Sequence, residues 1–540
     1  MLSRVCFRPA VGRIAAPHSR GSSFHRGRKY EHGVRLISCV TFSVDITRTS
    51  AVKLKQAVVD GLRESLGPGG PAKKQQNHDD AALLFVSKSL ASWLDDDAFL
   101  TRMVASAGIA TGSTSREVTM LTAAVDEVPC YDPGLDSLSS SEGVSVLRGN
   151  ASRVLQDLTS LSDVEIPGDG AQEPSLEFHP PPCWHAGPLA VTVPLANTVF
   201  SNGRPHTLFV SRWGSESSAG SARLVDKTQM TSQRIILPAA DMAVSEEKDQ
   251  STTSSVVSHL VPVTSPRRIS AGLGNILRNI EINGSPRPAS QELEDVIPRL
   301  LEARRKDKDS ASGPVDVWAL IAPARYIEKG LPISNPLELG KYQLSDEVGL
   351  ARAVANQMDM FIAGGCQLRK VLSGGGGWGL KKGLLSLDPQ TRLTTDEHQD
   401  LESFISSFRG DTSAGGIITP GSYVQFFVEP ALPSPQEDDD YAPVTRSSSS
   451  SSSSSVRFRT LTTVFGTHAR PPIRSPLAAT ASDPVRAWPG LFGALSSEAM
   501  YISHRGETRD GQVVIATKID VPRSYMVSTA SKPKAEGSKL

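Results

Sequence analysis

Ser373 is followed by Gly374, Gly375, Gly376 and Gly377, then by Trp378, Gly379, Leu380, Lys381 and Lys382. A glycine run tolerates positive φ and lets backbone N–H groups converge on an anion, so phosphate or another ligand is a chemistry this segment could support. Gly374, Gly376 and Gly379 satisfy GxGxxG, but any glycine run does so trivially, and Gly383 and Pro389 interrupt the helix that a dinucleotide fingerprint needs. A P-loop fails because Leu380, not lysine, follows Gly379. The segment reads either as a loop for a ligand or partner, or as a structural turn with Trp378 packed as a plug.

A second loop, Gly112-Ser113-Thr114-Ser115, follows the apolar Ile109-Ala110-Thr111. If that triplet is a parallel strand, the loop leaves its C-terminal end, the edge at which open α/β sheets bind ligands, and its hydroxyls and free N–H groups suit a carboxylate or similar small polar group. A plain turn is the alternative. His179, Cys183 and His185 surround three prolines, but no fourth ligand stands at a recognisable spacing, so no metal site is expected. Cys366 follows Gly364-Gly365 without a Cys-His-Asn or GxSxG pattern, which favours a buried, inert thiol over a nucleophile. Arg267-Arg268 and Arg304-Arg305-Lys306 lack interleaved aromatics and read as solvated faces. No catalytic residue and no cofactor are assigned.

The elements that must carry these loops can be read from periodicity. Residues 36–44 are β-branched and apolar, as a buried strand requires. Ala51, Leu54, Val58, Leu62 and Leu66 fall on one helical face, with Ser50 as cap and Gly67-Pro68 as stop. Strand 82–86, a helix with Asp95 to Asp97 at its positive end, strand 109–111 and strand 144–147 follow. Short connections between alternating strands and helices imply right-handed crossovers and a mainly parallel sheet. Further along, strands are expected at 207–211, 315–321, 423–428 and 456–461. Helices are expected around Leu293 to Leu301, despite Pro298, at 346–358, and at 401–408 behind a Thr394/Glu397 capping box. The fold class is therefore α/β, mainly parallel sheets of β-α-β units, with mixed or antiparallel C-terminal strands and disordered insertions.

The chain has 540 residues, more than one typical domain, and 39% hydrophobic residues diluted by 44 Gly and 37 Pro. Residues 36–215 and 269–525 are read as two α/β domains, 216–268 as a polar linker or insertion, and 526–540 as a disordered tail. Residues 433–455 carry nine consecutive serines, Ser447 to Ser455, which cannot bury surface to offset their ordering entropy, and are expected to be a disordered insert. Lys plus Arg and Asp plus Glu are equal at 57, so no global field favours nucleic acid or an anionic membrane. The five cysteines form no framework, and no uncharged apolar run reaches the ~18 residues of a spanning helix. In residues 1–35, eight basic side chains (Arg4, Arg8, Arg13, Arg20, Arg26, Arg28, Lys29 and Arg35) oppose the single acid Glu31, with serines interleaved. That composition is that of a mitochondrial transit peptide; a basic tail on a cytoplasmic protein is the alternative.

Strand, helix, Ala82-Leu83-Leu84-Phe85-Val86, helix, then Ile109-Ala110-Thr111-Gly112-Ser113-Thr114-Ser115-Arg116-Glu117 and later Glu142-Gly143-Val144-Ser145-Val146-Leu147 resembles the N-terminal FIST domain. The resemblance covers roughly residues 36–215. It implies a sensory module that recognises a small polar molecule such as an amino acid, with no catalytic residues to carry over. If the chain is a ligand-sensing α/β protein, Gly112 to Ser115 and Gly374 to Gly379 are expected to line one concave site, because both leave strand ends and expose backbone donors. Two other classes stay open: an accessory factor in mitochondrial gene expression, and an enzyme built on the glycine-rich loop.

Overall fold

The computed structural model describes residues 38–66, 79–107, 117–132, 137–155, 173–181, 188–215, 222–237, 252–307, 315–330, 334–374, 383–393, 418–431, 461–468, 483–508 and 511–530. In chain order, β1 (Ser38–Val44), α1 (Ala51–Leu66), β2 (Ala81–Ser87), a 3-10 segment (Lys88–Asp95), α2 (Asp97–Ser106) and β3 (Val118–Val125) come first. A hairpin of β4 (Val128–Asp132) and β5 (Ser137–Ser141) leads to β6 (Gly143–Gly149), the short α3 (Ala151–Val154), β7 (Ser175–His179), β8 (Leu189–Pro194), α4 (Val199–Asn202) and β9 (Leu208–Ser215).

Sequence periodicity located β1, α1, β2, α2, β6 and β9 well. Asp96 caps α2 by accepting from the Phe99 amide at 3.0 Å, and a hydrogen bond from Lys55 holds its carboxyl below the usual range. The expected strand 109–111 lies outside the described residues. Strand β3, VTMLTAAV, went unread because its small residues do not alternate.

The first sheet has the order β10-β9-β3-β2-β6-β1-β22, where β10 is Ala222–Gln229 and β22 is Val485–Pro489. It is not mainly parallel. Only β2 and β3 run parallel in it, because β6 returns from the β4–β5 hairpin and inserts antiparallel to both β1 and β2. The α1 crossover leaves β1 and β2 pointing the same way, as right-handed β-α-β chemistry requires, but they are no longer neighbours. Every residue of β2 is buried, which fits a central strand covered on both faces. One face carries α1, α2 and the 3-10 segment over Leu54, Val58, Phe99, Met103 and Trp213.

The opposite face packs on two further sheets. The first has the order β11-β7-β8-β24-β25, and the second β12-β26-β21-β23. Their later members are β11 (Ser232–Ile236), β12 (Thr252–Val257), β21 (Leu461–Thr467), β23 (Leu491–Ser496), β24 (Met500–Thr508), β25 (Gly511–Ile519) and β26 (Tyr525–Ala530). The segment 216–268, expected to be a linker, thus supplies β10, β11 and β12, and residues 526–530, expected to be tail, pair with β12. Their polarity belongs to strands with one solvated face, as the exposed positions of β10 show.

Between β12 and β21 the chain builds a closed ring of six antiparallel strands. These are β14 (Arg267–Leu273), β15 (Ile276–Ile282), β17 (Val317–Ala322), β18 (Gln367–Gly374), β19 (Leu385–Leu387) and β20 (Tyr423–Val428). The short β13 (Val261–Pro262) and β16 (Ser285–Pro288) are added at its rim. Helices α5 (Ala289–Lys306), α6 (Ala324–Glu328), α7 (Leu344–Ala355) and α8 (Met358–Ala363) accompany it. Alternation along β17 decides how the barrel is attached: Ala319 and Ile321 join the barrel cluster, whereas Trp318, Leu320 and Ala322 join the main core. A hydrogen bond from Trp318 Nε1 to Asp520 (2.7 Å) and one from Lys518 to Asp388 (2.8 Å) tie the two halves at the edge of that contact. Inside the barrel region, Glu347 is fully buried and accepts from Arg304, from the Tyr342 hydroxyl and from the Ala431 amide.

Strands from both ends of the chain therefore share sheets: β1 with β22, β8 with β24, β12 with β26. A fragment ending at residue 260 is expected to lack a cooperative thermal transition and to aggregate. Co-expression with residues 456–540 should restore a soluble complex. A well-folded monomeric 36–260 fragment would show that the C-terminal strands are dispensable.

Candidate functional site

The site grows out of the turn that ends β1. Asp45 accepts from the Thr47 amide (3.0 Å) and hydroxyl (2.6 Å), and Arg48 Nε lies 2.9 Å from its other oxygen. The Thr47 hydrogen bond leads the causes that hold the Asp45 carboxyl below its usual range. This self-contained turn is the reason an Asp-x-Thr sequence can leave a strand edge without unsatisfied amides. Beside it, Asp45 donates its amide to Pro484 and Val44 donates to Glu142, so β1 is flanked by the start of β22 and the junction of β5 and β6.

These three termini and β4 enclose a cavity of about 260 Å³, lined by residues 43–48, Cys130, residues 140–142, Asp483, Pro484, Arg486 and Trp488. The volume lies just below the ~300 Å³ at which small-molecule pockets begin, so it suits a compact ligand. Trp488 is 5% exposed, meets Tyr131 edge-on, and carries the Arg486 guanidinium 4.3 Å from its ring centroid. Its indole N–H is buried and has no hydrogen-bond partner, and the same holds for the Ser141 hydroxyl. Both atoms are sealed within the walls rather than open to the cavity, so leaving each unpaired is a packing cost of about 1–3 kcal/mol.

Glu142 connects this cavity to a second polar group. Burial pushes its carboxyl up; a hydrogen bond from Ser89 opposes this, while Glu127 and Asp45 reinforce it and Lys88 works against it. Next door, Lys88 reaches Asp126 at 3.1 Å, and Asp126 also accepts from the Ser497 amide (2.7 Å) and hydroxyl (2.8 Å). Asp45 and Glu142 thus have carboxyls moved in opposite directions at one rim. Among the described residues, the cavity lining includes no histidine or lysine. The arrangement offers donors, acceptors and both signs of charge, which is the chemistry of recognition.

Of the loops singled out from the sequence, only Gly374 is among the described residues. Gly112, Ser113, Thr114 and Ser115 lie outside the described residues, as do Gly375, Gly376, Gly377, Trp378 and Gly379. Gly374 is described: it ends β18 opposite Leu385, and a Cβ there would stand 2.2 Å from Leu385 Cδ2, so close packing is sufficient reason for a glycine. His179 is hydrogen-bonded to Glu177, and Cys183 and His185 lie outside the described residues; among the described residues no cluster of metal-ligating side chains occurs. Cys366 is 1% exposed and burial pushes its thiol up to about 12, the inert thiol expected. The basic pairs are engaged: Arg267 with Glu292, Arg268 with Glu281, Arg304 with Glu347, Lys306 with Glu302. Sequence reasoning missed Asp45, Cys130, Ser141, Glu142, Asp483, Arg486 and Trp488 as a group. Asp45-x-Thr47 at a strand end was the one local signal; the rest become neighbours only through the β1–β22 pairing.

Comparison of the chain with family models, with curated proteins and with solved structures gave no match. No helix among the described residues is long and apolar enough to cross a membrane.

The raised Glu142 carboxyl gives a pH test. Its proton is held more tightly in the folded than in the unfolded chain, so its favourable contribution is complete below the unfolded value and is lost as pH rises through the folded value. Glu142→Gln should therefore gain thermal stability relative to the parent as pH is raised from 4 to 7.5. A melting-temperature difference that stays flat over that interval would contradict the burial of this carboxyl.

Proposed function

We propose that the protein binds a small polar molecule, in the manner of a FIST-type sensory module, and that the cavity between β1, β4 and β22 is where it does so. The observation that carries this reading is the cavity of about 260 Å³ itself, whose lining sets Arg48 and Arg486 beside Asp45, Glu142 and Asp483. Charge of both signs at the rim, Arg48 and Arg486 against Glu142 and Asp483, favours a zwitterion such as an amino acid over a simple anion or cation. The paired state of the basic clusters gives an RNA-binding alternative no support.

The test is a thermal-shift and tryptophan-fluorescence screen of the full chain against amino acids, dicarboxylates and nucleotides. A hit at one hundred times its Kd should raise apparent stability by about 2.7 kcal/mol. Arg486→Ala should weaken that ligand roughly tenfold, the cost of one lost charge-assisted hydrogen bond. A ligand whose affinity is unchanged by Arg486→Ala and by Asp483→Asn binds elsewhere.

The reading includes mitochondrial import, supported by the eight basic residues against one acid in residues 1–35. Removing those residues should leave a reporter fusion in the cytosol under fluorescence microscopy. Unchanged import would overturn it.

A further inference from the structure

Strands β12 and β26 pair antiparallel as far as Val257 and Tyr525, and the register continues one step further into the buried Ser258–Ser524 hydroxyl bond at 2.8 Å. The next step sets His259 against Arg523. Arg523 follows Pro522 in the turn that leads into β26 and holds φ at 59°, a left-handed conformation that suits glycine or asparagine and strains a long side chain. From the other side, α7 packs against β13, and Arg352 in its last turn acts on His259 through its charge. Two guanidinium groups and an imidazole therefore face one another. Arg352 and Arg523 are exposed and His259 is half-buried. Among the described residues none of the three has an ion-pair partner: Glu429, just after β20, acts on Arg523 only at longer range, and Asp359 of α8 accepts from the Val256 amide (2.7 Å). Burial, and then the charges of Arg523 and Arg352, hold His259 below its ordinary value. The repulsion is what a bound anion would relieve.

We propose that His259, Arg352 and Arg523 form a second binding site, for a small dianionic oxyanion of the phosphate or phosphate-monoester class. None of the three lines the cavity beside β1, so the site stands whether or not that cavity binds a ligand. Arginine presents its N–H donors in a planar fork that matches tetrahedral oxyanions and makes charge-assisted hydrogen bonds to them. An anion held between the two forks favours the charged form of the imidazole, so binding draws a proton onto His259. Linkage fixes the sign: affinity for an anion of constant charge rises as pH falls through the range in which His259 is protonated. The exposed faces of both arginines leave the anion open to solvent on one side, which suits a monoester whose remainder projects outward.

The experiment follows the His259 resonance by NMR in the full chain carrying carbon-labelled histidine, assigned by its loss in His259→Gln, in sodium chloride and in sodium sulfate of equal ionic strength. Sulfate remains dianionic across neutral pH, so only the protein titrates. Sulfate should raise the His259 titration midpoint well beyond any change in the other histidines. Arg352→Gln should weaken the sulfate response roughly tenfold, the cost of one charge-assisted hydrogen bond. Arg523→Gly places at φ 59° a residue that adopts it freely, so this variant should melt within a few degrees of the parent. It should nevertheless lose the sulfate response, and its His259 midpoint in chloride should move up because a like charge is gone. Competition then separates the sources: displacement of sulfate by both inorganic phosphate and glycerol phosphate supports a monoester site, and displacement by inorganic phosphate alone supports a site for the free ion. A sulfate response that survives in Arg523→Gly, or that all histidines share equally, overturns the proposal. Failure of both phosphates to displace sulfate marks an adventitious ion only and overturns it as well.

Discussion

Four phenylalanines hold the three sheets outside the barrel together. Phe85 from β2, Phe178 from β7, Phe465 from β21 and Phe492 from β23 are all fully buried. Phe178 and Phe465 are stacked with centroids 3.7 Å apart, and Phe85 lies 5.0 Å from Phe492. Two of these rings come from the first third of the chain and two from its last fifth. Aromatic side chains supply the largest apolar area per residue, and edge or offset contacts add about 0.5–1.5 kcal/mol per pair beyond that area. Until the C-terminal strands arrive, Phe85 and Phe178 have only each other, edge-on at 6.0 Å, and lack the rings of Phe465 and Phe492.

That constraint explains the polar details beside the cluster. Thr41 donates to the Leu491 carbonyl (2.9 Å) and shares a 2.8 Å hydrogen bond with Ser145, which also accepts from the Gly493 amide (3.1 Å). Buried hydroxyls are tolerated here because each is satisfied: the bonds to Leu491 and from Gly493 span the junction between the first sheet and β23, and the Thr41–Ser145 bond joins β1 to β6. Gly493 is required by the same approach: a Cβ would sit 1.9 Å from the Val464 carbonyl oxygen. Close strand-to-strand contact, rather than turn geometry, is what this glycine serves.

The barrel is an insertion hung on that assembly. Its strand β17 faces two cores at once, and its polar fastenings, Trp318 to Asp520 and Lys518 to Asp388, lie where β18 meets β25. Burial pushes the Asp520 carboxyl up against the lowering effect of the Trp318 hydrogen bond. Arg369, buried and pushed down to about 10, donates to the carbonyls of Asp388 and Pro389 and fixes the chain after β19. The cavity lies away from this joint, at the edge where β22 adds to β1. It is therefore a product of the closure of the chain upon itself, and its chemistry depends on β22 setting Arg486 and Trp488 beside β1.

Local periodicity was enough for α1, α2, β1, β2, β6, β9, β17 and β20, because in each the apolar residues fall at helical spacing or form β-branched runs that bury whatever the partner. The same information gave an inert Cys366 and a polar 216–268, but it could not say that the polar segment forms strands, since edge strands owe their hydrogen bonds to partners far away in sequence. Pairing direction was likewise invisible: β-α-β spacing fixes β1 and β2 as parallel to each other, while only tertiary structure decides that β6 slips between them. The cavity was the least legible part. Asp45 and Thr47 form a local turn that the sequence determines by itself, but Cys130, Glu142 and Trp488 acquire a common surface only when antiparallel pairing sets β22 against β1, and no local pattern encodes a contact between opposite ends of a chain.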